Sequence, residues 1–191
     1  MGINERKLRQ KEELRTLILD TAWQMVKQDG WPSLSLRRIS EAIEYSVPVI
    51  YDHFENKEAI LLEFSRQGFV LLTKNLKQAK GKQEDPALQL LGIAYAYWNF
   101  AFHNKEYYQV MFGLGMPCCD IDKCLPEKGA FRDLVMEPIA LMMKKSIGKK
   151  SGNACLKYHT FWSVLHGLVS IKRMGSTNAQ DTLNKVVLED A

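Results

Sequence analysis

At 191 residues, with 46% hydrophobic and 25% charged residues, the chain has ordinary globular proportions and a length suited to one domain or two small ones sharing a core. Its 6 Pro and 12 Gly exclude a collagen-like or wholly disordered chain. The formal net charge of +4 is not concentrated where it would mark a nucleic-acid surface, because residues 1–60 carry ten acids against nine Lys and Arg and sum to −1.

No apolar run approaches the roughly 18 residues that a membrane span requires. The longest, Leu90 to Trp98, stops at Asn99. The opening MGINERKLRQKEELR offers no apolar stretch for export, and Arg6 stands where a myristoylation motif needs Ser or Thr. The expectation is a cytoplasmic chain with no membrane partner, in which Cys118, Cys119, Cys124 and Cys155 are reduced thiols.

There is no internal repeat and no bounded run of two-residue alternation, so the predicted fold is all-α, with about nine helices. The first helix, of about 20 residues, carries Leu14, Leu17, Ile18, Thr21, Ala22, Met25 and Val26 at three- and four-residue intervals and stops at Asp29-Gly30. Ser33 or Ser35 then caps a short helix through Arg37, Ile39 and Ala42, and Ser46 caps a second through Ile50 to Phe54. A fourth helix runs from near Asn56 to about Lys80, carrying Ile60, Leu61, Phe64, Leu71, Leu72 and Leu76. Gly81 to Pro86 ends it. Helices are predicted over 87–103 and 106–112, then a Gly-, Pro- and Cys-rich loop over 113–127, then helices over about 128–147, 153–174 and 179–188.

One long helix followed by two short ones joined by about four residues is the pattern of a helix-turn-helix, whose second helix enters the major groove. Residue identities sharpen it. The run Gly30-Trp31-Pro32-Ser33-Leu34-Ser35-Leu36-Arg37-Arg38-Ile39-Ser40, then Ser46 to Ile50, then Tyr51-Asp52-His53-Phe54-Glu55-Asn56-Lys57-Glu58, resembles the TetR family of transcriptional regulators. Tyr51, His53, Phe54, Lys57 and Glu58 fall at the family's spacing, and with Ala22 and Gly30 the resemblance covers roughly residues 12–62. It implies a DNA-binding domain over 1–56 and a helical regulatory domain, for ligand binding and dimerisation, over 57–191.

The residues support such a role. Ile50 and Phe54, four apart, share the face that pins the recognition helix, while Tyr51 points elsewhere and can offer its hydroxyl to a phosphate. Lys57 joins a cation to the unpaired N–H groups of a helix N-terminus. The candidate base-edge contacts are Val47, Val49, Tyr51, Asp52 and His53, with Ser46 at the entry of the helix and Arg37 and Arg38 from the preceding one. The chain departs from the family pattern in two ways: Glu44 occupies the turn position usually held by Gly, and Val47-Pro48-Val49 replaces small or polar residues.

In the second half, Tyr97-Trp98-Asn99-Phe100-Ala101, then Tyr107-Tyr108-Gln109-Val110-Met111-Phe112, and later Trp162-Ser163-Val164-Leu165-His166-Gly167 resemble a branch of the same family named for its Trp-x-x-x-His-Gly signature, with Lys105 in place of the usual Pro. The aromatic and thioether residues Trp98, Phe102, Tyr107, Met111, Phe112, Phe161, Trp162 and Met142, borne on helices, form either dense core or the wall of a mostly apolar cavity. The candidate ligand-binding residues are Phe64, Trp98, Phe102, His103, Met111, Phe112, Trp162 and His166. Ser163, Gly167, Leu168 and Ile171 on the penultimate helix are candidate dimer contacts, a two-fold homodimer being what places two recognition helices one DNA turn apart.

Three readings of the function compete. The resemblance implies a ligand-responsive repressor, released from a palindromic double-stranded DNA operator by a small apolar effector, with the fourth helix as the lever. A helical sensor of the same fold that has lost specific DNA binding stays open, given the −1 charge and Glu44. An enzyme is disfavoured: Ser163 and His166 lack an orienting acid and an oxyanion site. No cofactor is called for. The loop with Cys118, Cys119 and Cys124 lacks the paired spacing of a zinc site, which leaves loop filler, a thiol sensor or an adventitious metal site.

Overall fold

The computed structural model describes residues 2–113, 125–145 and 153–174. The described residues form eight α-helices and one 3₁₀ turn, without a strand: α1 Ile3–Asp29, the turn Trp31–Ser33, α2 Leu36–Ala42, α3 Val47–Tyr51, α4 Lys57–Lys80, α5 Pro86–His103, α6 Lys105–Phe112, α7 Pro126–Lys145 and α8 Ala154–Met174. The helix expected over 179–188 and the loop bearing Cys118, Cys119 and Cys124 lie outside the described residues.

Two compact units are present. The first comprises Met1–Ser65 with Glu106–Cys119, and the second Arg66–Lys105 with Asp120–Ala191. The first unit therefore extends beyond residue 56, taking in two further turns of α4 and most of α6. α4 is one continuous helix with residues in both units.

The core of the first unit follows from the stripe on α1. Ile18, Ala22 and Val26 are buried against Trp31, Leu34, Ile39, Ile50, Phe54, Ile60, Phe64 and Val110. Leu17, expected on that stripe, lies outside it and is exposed. α1 runs to 27 residues, longer than expected, because Glu5 accepts a hydrogen bond from the Gly2 N–H at 2.9 Å and supports two charged turns ahead of the core. It ends where Gly30 takes φ +77°, a left-handed backbone that a side chain would strain, and donates its N–H to Val26 O at 2.8 Å. Trp31 then donates its indole N–H to Glu106 O at 3.0 Å, and Tyr107 stacks on Trp23 with centroids 4.4 Å apart, so the start of α6 closes this core. Burial raises the Tyr107 pKa above its ordinary value.

In the second unit α5 starts one residue earlier than the sequence suggested. Asp85 caps it by accepting from the Ala87 and Leu88 N–H groups at 2.9 and 3.2 Å, and Pro86 fills the first helical position, where its missing N–H costs nothing. Tyr97 and Phe100 of α5, Phe131 and Val135 of α7, and Leu165 and Val169 of α8 are buried. No helix among the described residues is long and apolar enough to cross a membrane.

Candidate nucleic-acid interface

The short helices are set by their caps. Ser35 Oγ accepts from the Arg38 N–H at 3.1 Å and starts α2, whereas Ser33 turns back to donate to Gly30 O at 2.7 Å. Ser46 occupies the cap position of α3 without a side-chain cap bond; its carbonyl accepts from the Val49 N–H at 3.0 Å, and Pro48 in the first turn supplies the helical φ. The turn between the helices passes through Glu44 at φ +58°, the left-handed conformation for which the family uses Gly.

Ile50 and Phe54 are buried and hold α3 on the core. Tyr51, 53% exposed, and Asp52 stand out from the opposite side. Ser46 is exposed as well, whereas Val47, Val49 and His53 are half-buried, less open than the five-residue reading face expected from the sequence. His53 Nδ1 is buried without a hydrogen-bond partner. Its pKa is lowered first by burial and next by the Lys11 charge.

Arg37 and Arg38 are exposed and already engaged. Arg37 pairs with Glu41 at 2.8 Å, which raises its pKa, while Arg38 reaches Asp29 at 3.0 Å and Ser33 O at 3.1 Å. Lys57 begins α4, half-buried and without an ion-pair partner among the described residues, beside the turn in which Asn56 Oδ1 accepts from the Ala59 N–H at 2.8 Å. Tyr51, Asp52 and Lys57 thus present two polar side chains and a cation at the junction of α3 and α4.

Arg15 was not among the residues singled out from sequence. Its guanidinium lies 4.3 Å from the Phe54 ring centroid, donates to His53 O at 3.3 Å and meets Glu63 at 3.3 Å. It fastens the end of α3 to both α1 and α4. A lone Arg between Leu14 and Ile18, on an otherwise apolar stripe, was the available signal.

The expected ligand residues are divided between the two units. Phe64 is in the core of the first unit against Trp23 and Trp31, Met111 packs on that core, and Phe112 meets Tyr108 at 5.0 Å. In the second unit Trp98 contacts Phe102, which is partly exposed. His103 Nδ1 donates to Asn99 O at 2.8 Å on the edge of a mixed groove of about 490 Å³ lined by Asn75, Gln78, Lys82 and Asn104 together with Tyr95, Ala96 and Phe100. Trp162 stacks on His166, whose Nδ1 is hydrogen-bonded to Tyr97 Oη at 2.8 Å.

A second cavity, of about 410 Å³, lies among α5, α7 and α8 of this unit, with Leu90, Ile139, Met142, Met143, Phe161 and Leu165 as apolar walls and Lys157 and Thr160 as polar points. Met142 and Phe161 belong to the aromatic and thioether group expected to form core or a cavity wall, whereas none of the eight candidate ligand-binding residues lines it. On α8, Ser163 and Ile171 are exposed, Gly167 and Leu168 are half-buried, and a Cβ added at Gly167 would meet nothing within 4 Å. No cluster of His, Cys, Asp and Glu suited to a metal is present among the described residues, and Cys155 is an exposed free thiol.

Residues 18–64 match the family described as "Bacterial regulatory proteins, tetR family", and residues 90–188 match "Tetracyclin repressor-like, C-terminal domain". The chain is similar to the uncharacterised HTH-type transcriptional regulator YobS of Bacillus subtilis (strain 168), 27% identical over 93 residues, 49% of this chain and 48% of the relative. It thus spans about half the length of YobS. It is also similar to the uncharacterised HTH-type transcriptional regulator Rv0681 of Mycobacterium tuberculosis (strain ATCC 25618 / H37Rv), 24% identical over 170 residues, 88% of this chain and 74% of the relative. Among solved structures, the transcriptional regulator FadR of Bacillus subtilis in complex with stearoyl-CoA shares the fold, with a TM-score of 0.72 at 14% identity over 91% of this chain and 95% of that one. The helix-turn-helix geometry and the two family matches, which lie on either side of the α4–α5 junction, lead to one identification: the chain belongs to the TetR family and is a transcriptional regulator, not an enzyme, with a DNA-binding helix-turn-helix followed by a ligand-binding domain.

Proposed function

We propose that the chain is a ligand-responsive repressor, released from a palindromic operator by a small effector with an apolar body. The observation that carries this reading is the junction of α3 and α4, where Tyr51 and Asp52 project from a helix end whose other face is buried and Lys57 stands at the first residue of α4 without an ion-pair partner among the described residues. Buried Ile50 and Phe54 make that projection rigid, which suits a face that must meet a duplex in one register. Lys57 neutralises a phosphate, Tyr51 donates to one, and Asp52 accepts from a cytosine amino group. Arg37 and Arg38 contribute to the backbone only by exchanging Glu41 and Asp29 for phosphate.

The effector site is the cavity of α5, α7 and α8. Its walls suit a hydrocarbon body, while Lys157 and Thr160 suit an anionic or hydrogen-bonding head. FadR of Bacillus subtilis, with the same fold, is known in complex with stearoyl-CoA, a ligand of that general kind. α4, continuous from one unit into the other, is the lever. An effector that favours one arrangement of α4 weakens DNA binding by the coupling free energy that DNA imposes on the effector. Two copies associate through α8, where Val164 and Ile171 are exposed and Gly167 leaves open space.

Chromatin immunoprecipitation of the chain followed by sequencing tests this. Enrichment of an inverted repeat with half-sites about one DNA turn apart is expected. Recovery of no enriched sequence would favour a helical sensor that has lost specific DNA binding.

A further inference from the structure

The two turns of α1 that precede its core-facing stripe carry a patterned charge. Lys7, Lys11, Leu14 and Ile18 follow one another at helical spacing, so the line that is apolar and inward-facing from Leu14 onward becomes cationic at its start. Glu5 and Glu12 lie well round the helix from that line, Glu5 is held by the Gly2 N–H, and Glu13 is paired with Arg9 at 3.5 Å. Lys7 and Lys11 are exposed and have no ion-pair partner among the described residues.

Their position relative to the recognition helix is set by Arg15. It bonds the His53 carbonyl and covers Phe54, so α1 crosses the end of α3 there. Lys11 lies one turn further out and Lys7 two, along the side that carries Arg15. The Lys11 charge is felt by the His53 ring. A protein segment docking here would be expected to find an apolar row, whereas this line offers two cations about one helical turn apart beside a helix end that projects toward DNA.

We propose that Lys7 and Lys11 form a phosphate-binding surface for duplex DNA flanking the groove that α3 enters, adding two backbone contacts per protomer from a segment that precedes the family match at residues 18–64. The proposal rests on the DNA-binding reading of the helix-turn-helix. These contacts contribute affinity and salt dependence without base preference, because phosphates are the same at every step.

The test uses the full chain and the duplex it selects from a random-sequence library, with flanking duplex retained on both sides. Affinity is measured over a salt series for the parent, for K7Q/K11Q and for K27Q, whose charge lies at the other end of α1. The slope of log affinity against log salt should become shallower in K7Q/K11Q by about 1.8 per bound protomer, or about 3.6 for a two-fold dimer, with the selected sequence unchanged. K27Q should retain the parental slope. Circular dichroism melting of K7Q/K11Q should match the parent, since both residues are exposed. A K7Q/K11Q slope equal to the parental one overturns the proposal and leaves DNA binding by the helix-turn-helix standing. A parent chain that selects no duplex overturns both.

Discussion

Tyr97 of α5 and His166 of α8 are joined by a 2.8 Å hydrogen bond between the phenol oxygen and Nδ1, with the Trp162 ring stacked on His166 and edge-on to Tyr97. Tyr97 is fully buried, so the bond ties a core phenol of α5 to half-buried His166 of α8. Burial lowers the His166 pKa. The unfolded chain, with a pKa of about 6.5 at this residue, therefore takes up its proton before the folded one does. Stability contributed here is complete above about pH 6.5 and is lost as pH falls from there toward the lowered folded value. Denaturant titrations at fixed protein concentration should show this decline, and it should diminish in His166→Asn. His53 titrates in the same direction and remains as a background. Tyr97→Phe should cost about 1 kcal/mol at pH 7.5 by removing the hydroxyl from Nδ1.

Glu44 holds a left-handed backbone in the turn of the helix-turn-helix. A non-Gly residue there costs about 1–2 kcal/mol, partly offset by the roughly 0.5–1 kcal/mol of backbone freedom that Gly forfeits on folding. Glu44→Gly should accordingly raise stability by up to about 1.5 kcal/mol, seen as a higher denaturation midpoint. It should also bind DNA no more weakly, since an exposed carboxylate leaves the turn that precedes α3.

Much of the DNA-binding corner was legible because its signals are local. Ile50 and Phe54 are four apart, Ser35 precedes a helix start, and Glu44 stands where the turn needs positive φ. The register of those features is contained in a few residues, and the structure reproduces it. What was illegible depends on contacts far apart in sequence. Nothing near Arg38 announces its bond to Asp29, nothing near Trp31 its bond to Glu106, and nothing near Phe64 that it would meet Trp23. Aromatic periodicity could identify Trp98, Met111 and Trp162 as apolar surface. It could also pick out Met142 and Phe161, which line the cavity, but could not say which of the group pack in which unit or that Leu90 and Met143 join that wall.

The α8 surface gives a prediction about assembly. Ile171 is 70% exposed in the single chain, so a charge there is tolerated by the fold and is felt only by a partner. Ile171→Asp should leave helicity and the monomer melting profile intact while shifting sedimentation from dimer toward monomer. Operator affinity should fall with it, because two linked half-sites bind more tightly than one. A charge at half-buried Leu168 should act in the same direction with an added folding cost. A dimer that survives Ile171→Asp at micromolar concentration would place the interface elsewhere.

Contact between the α3–α4 junction and duplex phosphates is central to the proposed DNA binding, and the salt dependence of DNA affinity measures that contact most directly. With the full chain and its selected duplex, log affinity should fall linearly with log salt at a slope of about −5 or steeper, the signature of about six or more neutralised phosphates. Lys57→Gln should weaken binding and make that slope shallower by about 1 per bound protomer. A slope near zero in the parent chain, at any affinity, would contradict the account.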